Sequence, residues 1–400
     1  MSSDPRRHYE SPLSQTPFHA RTAPANTLNH WGAWAGYTTA LSYDDVTMEY
    51  TAIRNAASVY DISPMIKYRI SGVGAGAYLN RLTLRSASKL PVGAVHYTAW
   101  CDDMGKVLDD GTLFRLGEHE YRLCCQERHL PWLLDSAEGM SVAIADVTDH
   151  VAALSLQGPC SFSVLRAAGF GAVETLKPFR AMNIGADGID ILISRTGFTG
   201  DLGYELWTAP EHALGLWDLL FSAGAPWGIR PVGSQALDIA RIEAGFIVTN
   251  FDFIPADQAV REDRARTPQE LGLAWMIDWD KGHFNGRRAL LAEKNSNSSR
   301  WALVGLDIEG NISAEHSLIY DNRNREVGHI TAAAWSPATK RNIAIAHLRR
   351  PSDTESPDKL MVEVYAQREL QYVKLMLKAT ICERPFFSPG RRRATPPDAH

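Results

Sequence analysis

Apolar residues recur at helical spacing in two early stretches. In residues 44–57 Val46, Tyr50 and Ile53 share a side, and in 74–84 Ala77, Leu79 and Leu82 do. Elsewhere the period drops to two. Residues 59–62, 67–70, 95–100, 107–114 and 121–125 read as strands, with the glycine-bearing turn 102–106 closing a hairpin. A second mixed stretch follows, with strands at 151–156, 189–194 and 204–207. Its helices fall at 160–168 behind Gly158-Pro159, at 211–223, and at 234–243 with Ser234 as N-cap. Past the polar, Asn/Ser-rich run 293–300 only short strands remain, at 301–308, 318–320, 326–333, 343–348, 360–365 and 370–378. The pattern predicts an α+β region over 16–292 and an all-β barrel or jelly-roll over 300–385, with flexible tails at 1–15 and 388–400.

At 400 residues the chain exceeds one ordinary core, and 45% apolar with 22% charged residues is a globular composition. A net charge of -5 and no Lys/Arg stripe argue against a nucleic-acid partner. The one dense basic cluster, Arg391 to Arg393, reads as a solvated end. The five cysteines (Cys101, Cys124, Cys125, Cys160, Cys382) form no Cys-x-x-Cys pair, so neither zinc nor a disulfide framework is expected. Free thiols, no signal core and no apolar run of spanning length predict a cytoplasmic protein with no membrane partner. The thirteen histidines are scattered, and no Ser-His-Asp triad or P-loop is present.

Four clusters combine punctuating glycines with polar residues in apolar surroundings. In residues 105–111, Asp109 and Asp110 stand side by side where a strand leaves a turn, so one acid faces each side of the sheet. A solvated turn with two surface acids fits the local pattern equally well. Core-like Leu108 and Leu113 draw one acid inward, where it needs a proton-donating partner such as a ligand amine; the local pattern leaves open which of the two it is. In residues 195–206 three glycines allow close backbone approach to a planar ligand. There Glu205 either binds a guanidine-like edge or is a strand acid paired with Lys or Arg. Residues 237–245 form an apolar helix with Arg241 and Glu243, for which an internal ion pair is the alternative. The fourth cluster is 340–344.

In this order the clusters resemble the aminomethyltransferase family, the T-protein of the glycine cleavage system and its relatives, over about residues 16–387. VYDISPM at 59–65 is similar to the family's (L/V)(F/Y)DVSHM, GKVLDD at 105–110 to GG(I/V)xDD, and LQGP at 156–159 matches. RTGFTGDLGYE at 195–205 is similar to R(T/C)GYTGExGxE, RIEAG at 241–245 to RLEAG, FNGR at 284–287 to FIGK, and KRNIA at 340–344 to KKNVA. The resemblance implies a three-domain cloverleaf with tetrahydrofolate in a central hole. Two interleaved subdomains, 16–58 with 140–245 and 59–139 with 246–292, would precede the barrel. It carries pterin binding onto Tyr97, Asp110, Phe198, Glu205 and Arg241, and places Trp275 where the family has an aromatic against the folate. Phe198 replaces the usual Tyr and keeps only its stacking face.

Pro64, Ile66 and Lys106 replace a T-protein's His, its common Gly and the second Gly of its GG pair, and the segment 29–37 is unusually aromatic. These departures resemble the tetrahydrofolate-dependent demethylase branch. They imply a small-molecule methyl donor rather than a lipoyl carrier protein. The implied reaction attacks a methyl on O, S or quaternary N in line from N5, giving 5-methyltetrahydrofolate, with alignment supplying much of the catalysis. The resemblance makes Asp110 the inward acid of its pair, which would orient the pterin. His96, Tyr37 and Tyr68 are candidates to protonate a methoxy leaving group. Trp31, Trp34 and Trp100, with Tyr68, are candidates for an aromatic wall, or else ordinary core. The eleven tryptophans favour a methoxy-aromatic donor. A glycine-cleavage aminomethyltransferase and a non-catalytic folate-binding regulator are the alternatives.

Overall fold

Strands Ser58–Asp61 and Ile66–Ser71 are separated by one turn, yet they belong to different sheets. This crossing sets the architecture of the N-terminal region in the computed structural model, which describes residues 12–186, 188–350 and 359–398. The first sheet runs Ala181–Ala186, Ile189–Ser194, Gly203–Thr208, Ala152–Gln157, Ser58–Asp61 and Arg230–Pro231, antiparallel except for the last pair. One face packs Leu154, Leu156, Ile193, Tyr204 and Leu206 under helices Ser161–Ala167 and Ala213–Gly224. The second sheet, all antiparallel, runs Val95–Cys101, Val107–Gly117, Glu120–Cys125, Ile66–Ser71 and Ala143–Asp146. Its core gathers Tyr68, Leu79, Trp100, Leu113 and Leu123 with helix Ala75–Leu82.

The remaining faces of the two sheets meet. Phe114, Cys124, Tyr60 and Trp207 share this seam, where the Phe114 and Trp207 rings lie edge to face at 5.3 Å. Helix Val46–Asn55 packs along helix Ser234–Glu243, which also touches barrel strand Glu326–Ser336. The C-terminal domain is a closed barrel rather than a jelly-roll, in the order Trp301–Ile308, Arg341–Arg349, Glu326–Ser336, Leu318–Tyr320, Leu360–Arg368 and Gln371–Cys382. Among the described residues no helix is long and apolar enough to cross a membrane, and no group of three or more His, Cys, Asp or Glu side chains is placed to hold a metal ion.

Several boundaries move. The expected subdomain crossings at 58/59 and 139/140 shift, because strand Ser58–Asp61 pairs with Ala152–Gln157 and strand Ala143–Asp146 pairs with Ile66–Ser71. Hairpin His30–Trp34/Tyr37–Ser42, strands Ala143–Asp146 and Ala181–Ala186, and helix Arg287–Ser296 escape the sequence pattern. That last helix buries only Leu290 and so shows almost no apolar stripe. The N-cap of Ser234–Glu243 is Gly233 rather than Ser234. A Cβ at Gly233 would lie 2.3 Å from the Leu41 carbonyl oxygen, so no side chain fits there.

The tail expected to be flexible from residue 388 is docked as far as it is described. Arg391 makes a forked pair with Asp201 at 2.6 and 2.8 Å, and Arg195 reaches the Ala394 carbonyl at 2.6 Å and the Thr395 hydroxyl at 2.9 Å. At the other end Ser14 exchanges backbone hydrogen bonds with Gly36 and Thr38; residues 1–11 and 399–400 lie outside the described residues. Arg391→Ala is expected to cost about 1–2 kcal/mol. It should also speed tryptic cleavage within 391–393, read by mass against the parent chain.

Candidate functional site

The hairpin turn before the acid pair is tightly held. Gly105 has φ +73, and the Lys106 amide donates to Asp102 Oδ1 at 2.8 Å while its ammonium reaches Glu270 Oε2 at 3.4 Å. On the returning strand the register passes from Cys101↔Val107 to Trp100↔Asp109, leaving Leu108 as a bulge. The bulge explains how Leu108 and Leu113, of opposite parity, reach the same core. Beyond it the faces alternate. Asp109 points back toward Trp100 and His129, and Asp110 points into the seam beside Tyr97.

Asp109 is fully buried and heavily satisfied. It accepts from its neighbour's amide at 2.8 Å, from Thr249 Oγ at 2.6 Å and from the Glu127 amide at 3.0 Å, and His129 Nε2 lies 3.1 Å away. The expectation of Asp110 as the inward acid is thus corrected: Asp109 is the deeper of the two. Asp110 accepts from the Tyr97 hydroxyl at 2.7 Å, and Thr249 Oγ also lies 2.9 Å from it. One hydroxyl proton cannot serve both acids at once. Burial first, then the adjacent Asp109 charge, pushes the Asp110 carboxyl up to about 7.

Glu205 faces the same seam from the opposite sheet, on the side of its strand that carries Trp207. Thr196 Oγ donates to it at 2.5 Å within a relay through Ser194 to the Trp207 indole. Among the described residues no Lys or Arg pairs with it, so the surface ion-pair alternative is excluded. Burial pushes this carboxyl up to about 7 as well. Thr112 pairs with both Tyr97 and Cys124, and burial, with a further push from Glu205, raises the Cys124 thiol to about 12. The second sheet therefore presents Tyr97, Thr112 and Cys124 as a row between Asp110 and Glu205.

Arg241 is buried and committed within the protein. Its Nε lies 2.6 Å from Asp238, and its Nη1 lies 2.5 Å from Asp252 and 3.1 Å from the Phe246 carbonyl. Asp252 in turn accepts from the Val248 amide and the barrel's Thr331 hydroxyl. Arg241 therefore fixes the loop that delivers Thr249 to the acid pair. Glu243 pairs with Arg54, not Arg241, and takes the Tyr50 and Ser336 hydroxyls at 2.6 Å each. Phe198 stacks on Phe246 at 5.4 Å, and Trp275, 64% exposed, stands 6.5 Å from Tyr97.

The other candidates do not join this constellation. His96 lies on the face of its strand opposite Tyr97, and burial with nearby Arg85 and Lys281 holds it down at about 3, so at neutral pH it is a neutral imidazole and no general acid. The Tyr37 hydroxyl is spent on Asp149 and raised above its ordinary range by burial and that partner. Tyr68 and Trp100 are core residues. Tyr68 accepts the His129 amide at 2.7 Å, and Trp100 meets the His129 ring edge-on, so both support the acid pair from behind. Trp34 stacks on Tyr60, and Trp31 sits against His19 on the hairpin. No aromatic wall forms from these residues.

Sequence reasoning missed Thr249, Asp252 and His129. The first two follow the glycine that ends helix Ser234–Glu243, which marks a loop leaving an apolar helix that carries buried charges. His129 carries no local signal.

Two sheets meeting at a seam of buried carboxyls, with a separate six-stranded barrel, are matched by known proteins. Residues 18–281 match the GCVT N-terminal domain and residues 302–388 the glycine cleavage T-protein C-terminal barrel domain. An aminomethyltransferase of Caldanaerobacter subterraneus subsp. tengcongensis is 30% identical over 365 residues, covering 90% of this chain and 92% of its own. One of Halothermothrix orenii is 30% identical over 85% of this chain and 93% of its own. A trimethylamine-oxide aldolase of Ruegeria pomeroyi is 34% identical over 84% of this chain, but the match spans 43% of that protein. The solved glycine cleavage system aminomethyltransferase T of Bartonella henselae shares the fold, with TM-score 0.81 at 23% identity over 94% of this chain and 98% of its own. The class is that of folate-dependent one-carbon transferases. Within it, the chain belongs to the aminomethyltransferase (glycine cleavage T-protein) family.

Proposed function

We propose that the protein is a tetrahydrofolate-dependent demethylase, passing a methyl group from a small cationic donor to N5 and yielding 5-methyltetrahydrofolate. The observation that carries the reading is Asp110: a seam-facing carboxyl, oriented by Tyr97 and Thr249 and poised near neutrality by burial beside Asp109. The residues present fit the co-substrate. Asp110 and Glu205 are two buried carboxyls without a cationic partner among the described residues, and both suit a heterocycle rich in N–H donors. Phe198 on Phe246 and Tyr97 beside Trp275 supply aromatic faces.

Tetrahydrofolate would supply N5 as the methyl acceptor. As the methyl leaves, its bond's electron pair stays on the departing sulfide or amine, and one proton is released from N5. Asp110 would hold that proton, with Tyr97 and Thr249 orienting its oxygens. A neutral leaving group needs no acid, which agrees with His96 being unprotonated and Tyr37 being engaged elsewhere. For this reason a sulfonium or quaternary-amine donor replaces the methoxy-aromatic donor expected from tryptophan content: Trp100 is core, and the seam is acidic. The Ruegeria relative, named for a methylated amine oxide, supports an N-methyl substrate. Pro64 and Lys106, the latter tied to Glu270, remain departures from the lipoyl-partnered pattern.

The test is a donor screen with tetrahydrofolate, using sulfonium compounds, betaines and methoxybenzoates, with 5-methyltetrahydrofolate read by mass. Product from an onium donor supports the reading, and product from methoxybenzoates alone overturns the donor class. The names of the 30%-identical relatives favour a second reading, aminomethyl transfer from a lipoyl carrier. Turnover with reduced lipoyl carrier and none with any methyl donor would establish it. Under either reading Glu205→Gln is expected to weaken tetrahydrofolate binding by roughly 10–100-fold, checked by calorimetry.

A further inference from the structure

Arg85 stands half-buried at the edge of the Asp110 site without an acid to answer it. Its Nη1 donates to the Tyr97 carbonyl at 3.2 Å, and its guanidinium lies 5.7 Å from the centre of the Trp275 ring. Among the described residues no carboxylate comes within ion-pair distance of it, and burial alone lowers its pKa. A desolvated guanidinium normally finds an anionic fork, and this one has only a carbonyl and a ring face. Trp275 beneath it is 64% exposed, a large apolar face left open to water next to Tyr97.

Three chemistries thus gather around the seam, on the two facing sheets and the loops beside Tyr97. Glu205 and Asp110 take N–H donors, Tyr97 and Trp275 offer aromatic faces, and Arg85 offers a planar cation. A folate carries the complementary series: an aminopterin, an aryl ring and a glutamate. We infer that Arg85, stacked on Trp275, is the carboxylate-binding arm for the glutamate end of the folate. This inference rests on the folate reading above. Tyr97 couples the two ends, since its hydroxyl orients Asp110 while its carbonyl anchors the arm. The arm therefore sets how deeply the folate enters as well as how tightly it is held.

The experiment compares calorimetric Kd values of tetrahydrofolate and tetrahydropteroate, which lacks the glutamate, for the wild type, Arg85→Gln and Arg85→Lys. The wild type is expected to bind tetrahydrofolate at least about tenfold more tightly than tetrahydropteroate, the scale of one charge-assisted contact. Arg85→Gln should erase that difference while leaving tetrahydropteroate affinity and the melting temperature unchanged. Arg85→Lys should recover part of it, because the charge returns without the fork. The inference is overturned if Arg85→Gln weakens both ligands equally, which would make Arg85 merely a support for Tyr97. It is also overturned if the glutamate preference persists in Arg85→Gln. Failure of the wild type to bind either ligand would remove the folate reading itself.

Discussion

Asp110→Asn is expected to lower turnover by roughly 10²–10⁴-fold, the range for losing a positioned proton acceptor. The amide keeps the shape of the side chain and can still accept from Tyr97, so the fold and the melting temperature should hold. The pH profile separates this role from simple packing. Burial and the Asp109 charge hold the Asp110 carboxyl at about 7, above the ordinary aspartate range. Only its ionised form can take a proton. Wild-type kcat/KM should therefore climb as pH rises through about 7 and level off above it. In the variant that acid limb should vanish together with most of the rate. An Asp110→Asn enzyme that keeps both its rate and its limb would show that the proton goes elsewhere.

The largest stability effect is expected at Arg54. This buried guanidinium holds Glu243 through Nε at 2.9 Å and Nη2 at 2.6 Å, lies 3.3 Å from Asp201, and donates to the carbonyls of Thr199 and Ala240. Glu243 also takes hydroxyls from Tyr50 and from Ser336 of the barrel, and Asp201 takes the tail through Arg391. One network thus fastens the 195–206 loop, two helices, the barrel and the C-terminal tail. Arg54→Met would strand Glu243 as a buried charge at a cost of about 3–5 kcal/mol, read as a fall in the urea midpoint. Arg54→Met with Glu243→Leu should restore much of that loss, since removing both partners of a buried pair is far milder than removing one. A double variant no more stable than the single would show that the hydroxyl and tail contacts, rather than the ion pair, hold this junction.

The two effects belong to different parts of one design. The Arg54 network and the Arg241–Asp252 pair position loops from outside the seam. The acid pair works inside it. Arg241, carried by resemblance into the pterin site, is fully occupied in holding the 246–252 loop, and Thr249 on that loop is what touches the acids. Any contribution of Arg241 to a ligand would therefore run through Thr249 and the Phe246 that stacks on Phe198.

Much of the fold was legible because its signals are local. Period-two runs marked most strands of both sheets and the barrel strands, and the glycine turn at 102–106 marked the hairpin that carries Asp109 and Asp110. The helices at 46–55, 75–82 and 213–224 were legible from their apolar faces, and those at 161–167 and 234–243 from the turn and cap residues that open them. The misses were also physical. Helix Arg287–Ser296 buries one apolar residue, and the hairpin His30–Trp34/Tyr37–Ser42 is mostly half-exposed, so neither leaves a clean pattern. The tryptophan-rich composition suggested an aromatic pocket, but composition does not say which face of a strand a ring occupies.

The sequence by itself determined the class of fold and the ordered motifs, because strand alternation and glycine turns depend on near neighbours; Asp110, Glu205 and Tyr97 were singled out by the resemblance those motifs carry. Only the tertiary structure decided where each acid points and what it touches. A bulge at Leu108 sends Asp109 into the core and Asp110 into the seam. Thr249 reaches both from 139 residues away or more. Burial without a cation lifts the carboxyls of Asp110 and Glu205 toward neutrality. These are properties of long-range contact and desolvation, and no local run of residues encodes them.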